Sequence, residues 1–84
     1  MSRVVIGVKK TGFGDEWKVT FKINGRYDEG PAAYDSSLEA LLETAKSQVE
    51  FYMDKGYKVE ITKALERAFT KFGYDTGNLD IYEG

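Results

Sequence analysis

The chain has 84 residues, enough for one domain with a thin hydrophobic core, and it is slightly acidic, with 12 basic and 14 acidic side chains. It contains no cysteine and no histidine, which excludes disulfides, thiolate nucleophiles, Cys-based zinc sites and the commonest general base. No apolar run approaches the roughly 20 residues of a membrane span, and the first residues do not resemble a signal peptide. We therefore expect a cytoplasmic protein that folds as a single domain over residues 1–84.

The first quarter of the chain predicts two strands. Residues 4–8 alternate weakly between buried and exposed types, and a glycine-containing loop follows. Residues 17–23 alternate cleanly, because apolar side chains at the odd positions are separated by Lys18, Thr20 and Lys22. This pattern predicts a strand with one apolar face and one basic, solvated face.

Asn24-Gly25 directly after the second strand is a strong signal for a β-hairpin. A two-residue loop would place Arg26 opposite Ile23 on the buried face. A three-residue loop would place Tyr27 there instead, and burial favours this second register. We therefore predict a third strand whose Tyr27 pairs with Ile23.

Residues 36–55 predict a long amphipathic helix, which at 1.5 Å per residue would be about 30 Å long. Ser36 and Glu39 fit a capping box at its start, and Gly56 supplies a stop at its end. The residues predicted to share its apolar face are Leu38, Leu41, Leu42, Ala45, Val49 and Tyr52, with Met53 at the edge.

The remaining chain predicts a strand, a helix and a short final strand. Residues 57–62 alternate as a strand does, although they could instead be the first turn of the next helix. Residues 63–72 predict an amphipathic helix that is capped by Thr62 and stopped by Gly73. Residues 79–82 predict a terminal strand or a docked extension. The predicted fold is α+β in the order β-β-β-α-β-α, with a small, mainly antiparallel sheet of three to four strands and the long helix packed on one face.

Three short motifs match functional signatures only in part. Asp75-Thr76-Gly77 spells the triplet of aspartic proteases, but it follows a helix and lacks the apolar strand that this loop requires. Gly12-Phe13-Gly14 lacks the third glycine of a dinucleotide loop, and Asp75, Asn78 and Asp80 are too sparse for a calcium loop. We interpret all three as turns and expect no catalytic residue, no cofactor and no metal.

Two surfaces are candidates for binding. On the long helix, Phe51 lies about 220° around the axis from Leu38 and therefore points away from the apolar face. It is either covered by the C-terminal tail or serves as an anchor for a basic protein. The residues assigned to this protein-binding surface are Glu39, Glu43, Glu50, Phe51 and Asp54.

The alternative surface is basic. Three cations recur every fourth residue on the second helix and form a ridge that could follow phosphates. The strand face described above adds two lysines. The residues assigned to this nucleic-acid-binding surface are Lys18, Lys22, Lys63, Arg67 and Lys71.

The order of strands before the helix, together with Tyr34-Asp35-Ser36-Ser37-Leu38-Glu39-Ala40-Leu41-Leu42-Glu43-Thr44-Ala45, resembles the HicB-type antitoxin fold. In that family a β-meander leads into an amphipathic helix that is opened by a similar cap. The resemblance covers roughly residues 3–62 and is one of pattern. It implies a regulatory, antitoxin-type module.

The chain is also similar to small phage-encoded inhibitors, including anti-CRISPR proteins, in its size, its acidity and its lack of catalytic residues. These features favour a non-enzymatic protein-binding module that inhibits or regulates a host complex for a phage or mobile element. The expected partner is a protein that is basic or associated with nucleic acid. Direct binding to nucleic acid is the alternative, no membrane partner is expected, and homodimer formation is left open.

Overall fold

The computed structural model describes residues 2–12, 16–28, 34–35 and 37–82. The α+β class, the long helix and the terminal strand are confirmed. The elements in chain order are β1 Arg3–Lys10, β2 Trp17–Ile23, β3 Arg26–Asp28, β4 Tyr34–Asp35, α1 Leu38–Asp54, β5 Lys58–Thr62, α2 Lys63–Lys71 and β6 Asp80–Tyr82.

The sheet is mixed, with the strand order β3-β2-β1-β5-β6, and the short β4 pairs with β2 beside β3. β2 is antiparallel to β1, β3 and β4, whereas β5 is parallel to β1 and β6 is parallel to β5. Most of the described pairings are antiparallel, as expected, but the β1–β5 and β5–β6 pairings are parallel, which the sequence did not predict. The reason is that each helix acts as a crossover, which carries the chain back to start the next strand in the same direction.

Both helices pack on the same face of the sheet. The alternate residues of β1, β2 and β5 supply one side of the core, and the apolar stripes of α1 and α2 supply the other. Several of these side chains have no exposed surface at all. The fully buried ones are Val4, Ile6, Leu42, Ala45, Ile61 and Leu65.

The hairpin after β2 has the two-residue register, so Ile23 pairs with Arg26 and Lys22 with Tyr27. The prediction that Tyr27 pairs with Ile23 is wrong. Asn24 and Gly25 both have positive φ, 51° and 85°, as a two-residue type I′ turn requires. The side-chain oxygen of Asn24 also accepts a hydrogen bond from the Arg3 amide at 3.0 Å. Turn geometry therefore sets this register, at little cost to burial, because Ile23 is only half-buried at the margin of the core.

The helix caps differ from prediction at one position. Ser37, and not Ser36, caps α1: its hydroxyl oxygen accepts a hydrogen bond from the Ala40 amide at 3.3 Å. Ser36 itself lies outside the described residues. Thr62 caps α2 as predicted, accepting from the Leu65 amide at 3.2 Å.

Gly56 ends α1 at a φ of 84°, as predicted. The Tyr57 amide donates to the carbonyl of Tyr52 at 3.0 Å, and the Gly56 amide donates to the carbonyl of Met53 at 3.0 Å. This is the Schellman pattern, and its apolar contact is aromatic, since the rings of Tyr52 and Tyr57 lie 5.1 Å apart.

The end of α2 repeats the same arrangement. Gly73 has a φ of 81°, and the Tyr74 amide donates to the carbonyl of Phe69 at 2.8 Å. The rings of Phe69 and Tyr74 lie 5.3 Å apart. The spacing aromatic-x-x-x-Gly-Tyr thus ends both helices and directs the chain back towards the sheet.

Candidate functional site

The outward face of α1 carries all five residues that the sequence assigns to protein binding. Leu41, Leu42, Ala45 and Val49 are buried against the sheet, which turns the opposite side of the helix to the surface. The structure places all five assigned residues in exposed positions on that side: Glu39, Glu43, Glu50, Phe51 and Asp54. Their role in binding stays a prediction.

Phe51 is exposed over 49% of its surface. Its ring meets that of Tyr52 edge-on with 5.3 Å between centroids, and the Lys55 ammonium lies 4.6 Å from its centre. Leu79 and Ile81, which could have covered it, pack against the core cluster instead. Phe51 is therefore an aromatic side chain held in place by two neighbours and open to solvent.

Met53 is the second large hydrophobic residue that is exposed among those described, at 45%. The sequence places it at the edge of the apolar face, and it lies two positions from Phe51. Glu50 and Asp54 fall between these two side chains around the helix. Sequence reasoning did not include Met53 in the site, although its angle of about 60° from Leu38 put it at the limit of the buried stripe.

Glu43 is engaged with the end of α2. Its carboxylate accepts a hydrogen bond from the phenol of Tyr74, and the Lys46 ammonium lies 5.8 Å from the centre of the Tyr74 ring. This hydrogen bond, with a smaller contribution from burial, raises the pKa of Tyr74 above its ordinary value of 10.0, because the carboxylate stabilises the protonated phenol.

A groove of about 400 Å³ runs between α1 and the segment that joins α2 to β6. Val49, Met53, Phe69 and Leu79 form its apolar walls. Its polar lining includes Lys46, Glu50, Asp75 and Asn78. The groove borders the acidic side of α1, whereas Phe51 lies on the other flank of the helix.

The Tyr74–Glu43 hydrogen bond should make stability depend on pH in the alkaline range. Because the pKa of Tyr74 is raised in the folded protein, the stability that this hydrogen bond contributes is fully present below pH 10.0, the ordinary phenol value. That stability is lost as pH rises through the pKa of folded Tyr74. Glu43→Gln should lower the pKa of Tyr74. Denaturant melts should show that the wild type is more stable than Glu43→Gln at neutral pH and that this difference disappears at high pH. NMR titration of the tyrosine rings checks the shift directly.

Glu50→Gln is the matched control, because Glu50 lies on the same helix and makes no hydrogen bond with Tyr74. It should leave the titration of Tyr74 unchanged. An identical Tyr74 titration in the wild type and in Glu43→Gln would contradict the assignment of this hydrogen bond.

The basic residues that the sequence grouped together lie on two different sides of the protein. Lys18 and Lys22 alternate with the buried Val19 and Phe21, so they belong to the sheet face that carries no helix. The cations of α2 lie on the outer side of that helix, opposite its buried residues. The structure therefore does not bring Lys18 and Lys22 together with Lys63, Arg67 and Lys71.

Of the partial motifs, the Asp-Thr-Gly triplet and Asn78 lie in a turn, whereas Asp80 begins β6. The Asp75 carboxylate accepts a hydrogen bond from the Gly77 amide at 2.9 Å, which makes the Asp-Thr-Gly triplet an Asx-type turn. Phe13 and Gly14 of the glycine loop lie outside the described residues. Within the described segments, no group of three or more carboxylates is arranged to hold a metal ion.

No known protein family, characterised protein or solved structure matches this chain. Neither helix in the described part of the chain is long and apolar enough to cross a membrane.

Proposed function

We propose that this protein is a non-enzymatic protein-binding module that docks a basic partner on the outward face of α1. We call this face the helix surface. It consists of Glu39, Glu43, Glu50, Phe51, Met53 and Asp54.

The observation that carries this proposal is the pair of exposed hydrophobic side chains in the last turns of α1. Phe51 and Met53 are 49% and 45% exposed on the two sides of Glu50 and Asp54, and large apolar side chains left in solvent among carboxylates favour a contact surface. The contacts of Phe51 with Tyr52 and Lys55 restrict its ring, so little conformational entropy would be lost when a partner covers it.

The charge of α1 and its cap indicates the chemistry of the partner. Four acidic side chains lie on the helix surface, whereas the two lysines of this segment, Lys46 and Lys55, are each positioned over an aromatic ring. Carboxylates around an aromatic anchor favour a basic partner, because complementary charge speeds association and discriminates against acidic proteins. We propose a basic or nucleic-acid-associated protein as that partner.

The biological role that we propose is inhibition or regulation of a host complex, of the kind carried out by phage-encoded and anti-CRISPR inhibitors. It is supported by the small size of the chain and by an acidic binding helix that could compete with nucleic acid for a basic surface. An antitoxin-type regulator is the alternative, and it would use the same helix surface.

Phe51→Ala should weaken partner binding by about 2 kcal/mol or more, because a central aromatic anchor commonly dominates an interface. The melting curve should barely move, since 49% of the surface of Phe51 is already exposed to water. Affinity capture from host extract with wild type and variant as bait, read by quantitative mass spectrometry, identifies proteins whose recovery depends on Phe51. Their affinities are then measured with purified components.

Thr70→Ala is the matched control, because Thr70 is exposed on the outer side of α2 and lies outside the helix surface. It should leave capture and affinity unchanged. Reversal of Glu50 to Lys should slow association more than it speeds dissociation, and the effect should shrink at high salt. Equal capture by wild type and Phe51→Ala would contradict the proposal.

A further inference from the structure

The face of the sheet opposite the helices concentrates positive charge in a protein that is acidic overall. Residues of β1, β2, β5 and β6 that alternate with the core residues make up this face, which we call the open sheet face. Only two acidic side chains of the described strands occupy it, Glu60 and Asp80. The cations on it are Arg3, Lys9, Lys18, Lys22 and Lys58.

Cations lie directly opposite one another at two places on the open sheet face. Lys9 pairs with Lys18 across β1 and β2, and Arg3 pairs with Lys58 across β1 and β5. Like charges in such positions destabilise a sheet. Lys9, Lys18 and Lys58 also make no ion pair or side-chain hydrogen bond within the described part of the chain. A local arrangement that opposes folding is typical of a functional surface.

The acidic residues do not neutralise these lysines. The Glu60 carboxylate is buried and is bound at both oxygens by the guanidinium of Arg3, one contact being 3.0 Å. Asp80 lies opposite Glu60, on the edge strand β6. Lys9 and Lys18 therefore form the centre of a basic area that is separated from Asp80 by β5.

An aromatic ring lies beside this basic area. The Lys22 ammonium donates to the phenol oxygen of Tyr82 at 3.3 Å, and the guanidinium carbon of Arg3 lies 5.6 Å from the centre of the ring. The floor between Tyr82 and Lys18 is built from Thr20 and Thr62, whose side chains close over the buried Gly7. The result is a flat surface with lysines on one side and an aromatic ring on the other.

We propose that the open sheet face binds single-stranded nucleic acid. Lys9, Lys18 and Lys22 neutralise backbone phosphates, and Tyr82 offers its ring to a base. A single strand fits better than a duplex, because no helix or ribbon protrudes from this face to enter a groove, whereas unpaired bases stack on flat, aromatic surfaces. This site lies on the opposite side of the sheet from the helix surface and does not depend on it.

The test uses fluorescently labelled oligothymidylate and oligouridylate of about 16 nucleotides, a length within the range that single-strand-binding domains occupy. Fluorescence anisotropy should show binding at low salt, with the logarithm of affinity falling linearly as the logarithm of salt concentration rises. The two oligonucleotides separate DNA from RNA as the ligand, and a duplex of equal length should bind at least tenfold more weakly.

Lys9→Gln combined with Lys18→Gln should lower the affinity on the order of tenfold and reduce the salt slope by about 1.4, the value for two single-strand phosphate contacts. The same double variant should melt at an equal or higher temperature, since it removes the repulsion between the two lysines. Tyr82→Leu should reduce affinity with little change in the salt slope, because stacking does not release counterions.

Lys63→Gln combined with Lys71→Gln is the matched control, since it removes the same charge from the outer side of α2. It should change affinity by less than about twofold, with an unchanged salt slope. Equal losses from the two double variants would overturn the proposal, because they would show attraction to overall charge. Absence of binding at low salt, or equal binding of the duplex, would overturn it too.

Discussion

Leu42→Ala is expected to lower the free energy of unfolding by about 2–5 kcal/mol, the range for removing a fully buried leucine side chain. Leu42 has no exposed surface, and it lies at the centre of the α1 stripe that packs on the sheet. Truncation leaves a cavity that neighbours on a helix and on paired strands cannot close without breaking backbone hydrogen bonds. Urea melts of the two proteins, fitted with a common slope, measure the difference.

Ser47→Ala is the control for this substitution, because Ser47 is exposed on the same helix and loses no buried contact. Its free energy of unfolding should change by less than about 0.5 kcal/mol. Similar losses in the two variants would mean that α1 does not pack through the stripe that contains Leu42. The packing of both layers of this fold would then need revision.

The helices and the strongest strand could be predicted from sequence because their signals are local. The period of 3.6 residues in α1, the period of two in β2 and the stop at Gly56 each depend on residues only a few positions apart. The mixed character of the sheet could not be predicted in this way. Whether β5 is parallel or antiparallel to its neighbour depends on which strand it pairs with after the intervening helix. The alternation of apolar and polar residues in 57–62 is the same in both cases.

The hairpin register shows two local signals in competition. Burial of Tyr27 opposite Ile23 favoured a three-residue loop, whereas Asn24-Gly25 favoured a two-residue loop. The turn prevailed because Ile23 is at the margin of the core and gains little from an apolar partner. The cap of α1 is a similar case, since Ser36 has the glutamate three positions later that a capping box requires, whereas Ser37 has Ala40 there and caps the helix with its hydroxyl alone.

For the candidate surfaces too, features set by neighbouring residues could be predicted and contacts between distant residues could not. The outward position of Phe51 could be predicted from its helical angle alone. The contact between Glu43 and Tyr74 could not, because it joins residues 31 positions apart. Alternation within β2 was enough to identify Lys18 as a surface cation. Its position directly opposite Lys9 depends on the register between β1 and β2, which the pattern of a single strand does not reveal.

Gly7→Ala is expected to lower the free energy of unfolding by about 2–3 kcal/mol, near the upper end for overpacking. A Cβ atom at Gly7 would lie 2.7 Å from the methyl carbon of Thr62 and 2.8 Å from the hydroxyl oxygen of Thr20. Thr62 cannot simply rotate away, because its hydroxyl oxygen accepts the hydrogen bond that caps α2. The extra methyl group therefore forces either a shift of the β1 backbone or the loss of a cap worth about 1 kcal/mol.

Gly12→Ala is the matched control, because a Cβ atom at Gly12 would have no other heavy atom within 4 Å. It should be neutral or slightly stabilising, since alanine restricts the unfolded chain. Thr20→Ala should recover part of the loss in the Gly7→Ala background, and a double-mutant cycle on urea melts would show the coupling that contacting residues produce. Equal stability of Gly7→Ala and Gly12→Ala would mean that the two threonines do not close over β1. The cap of α2 would then be independent of the central strand.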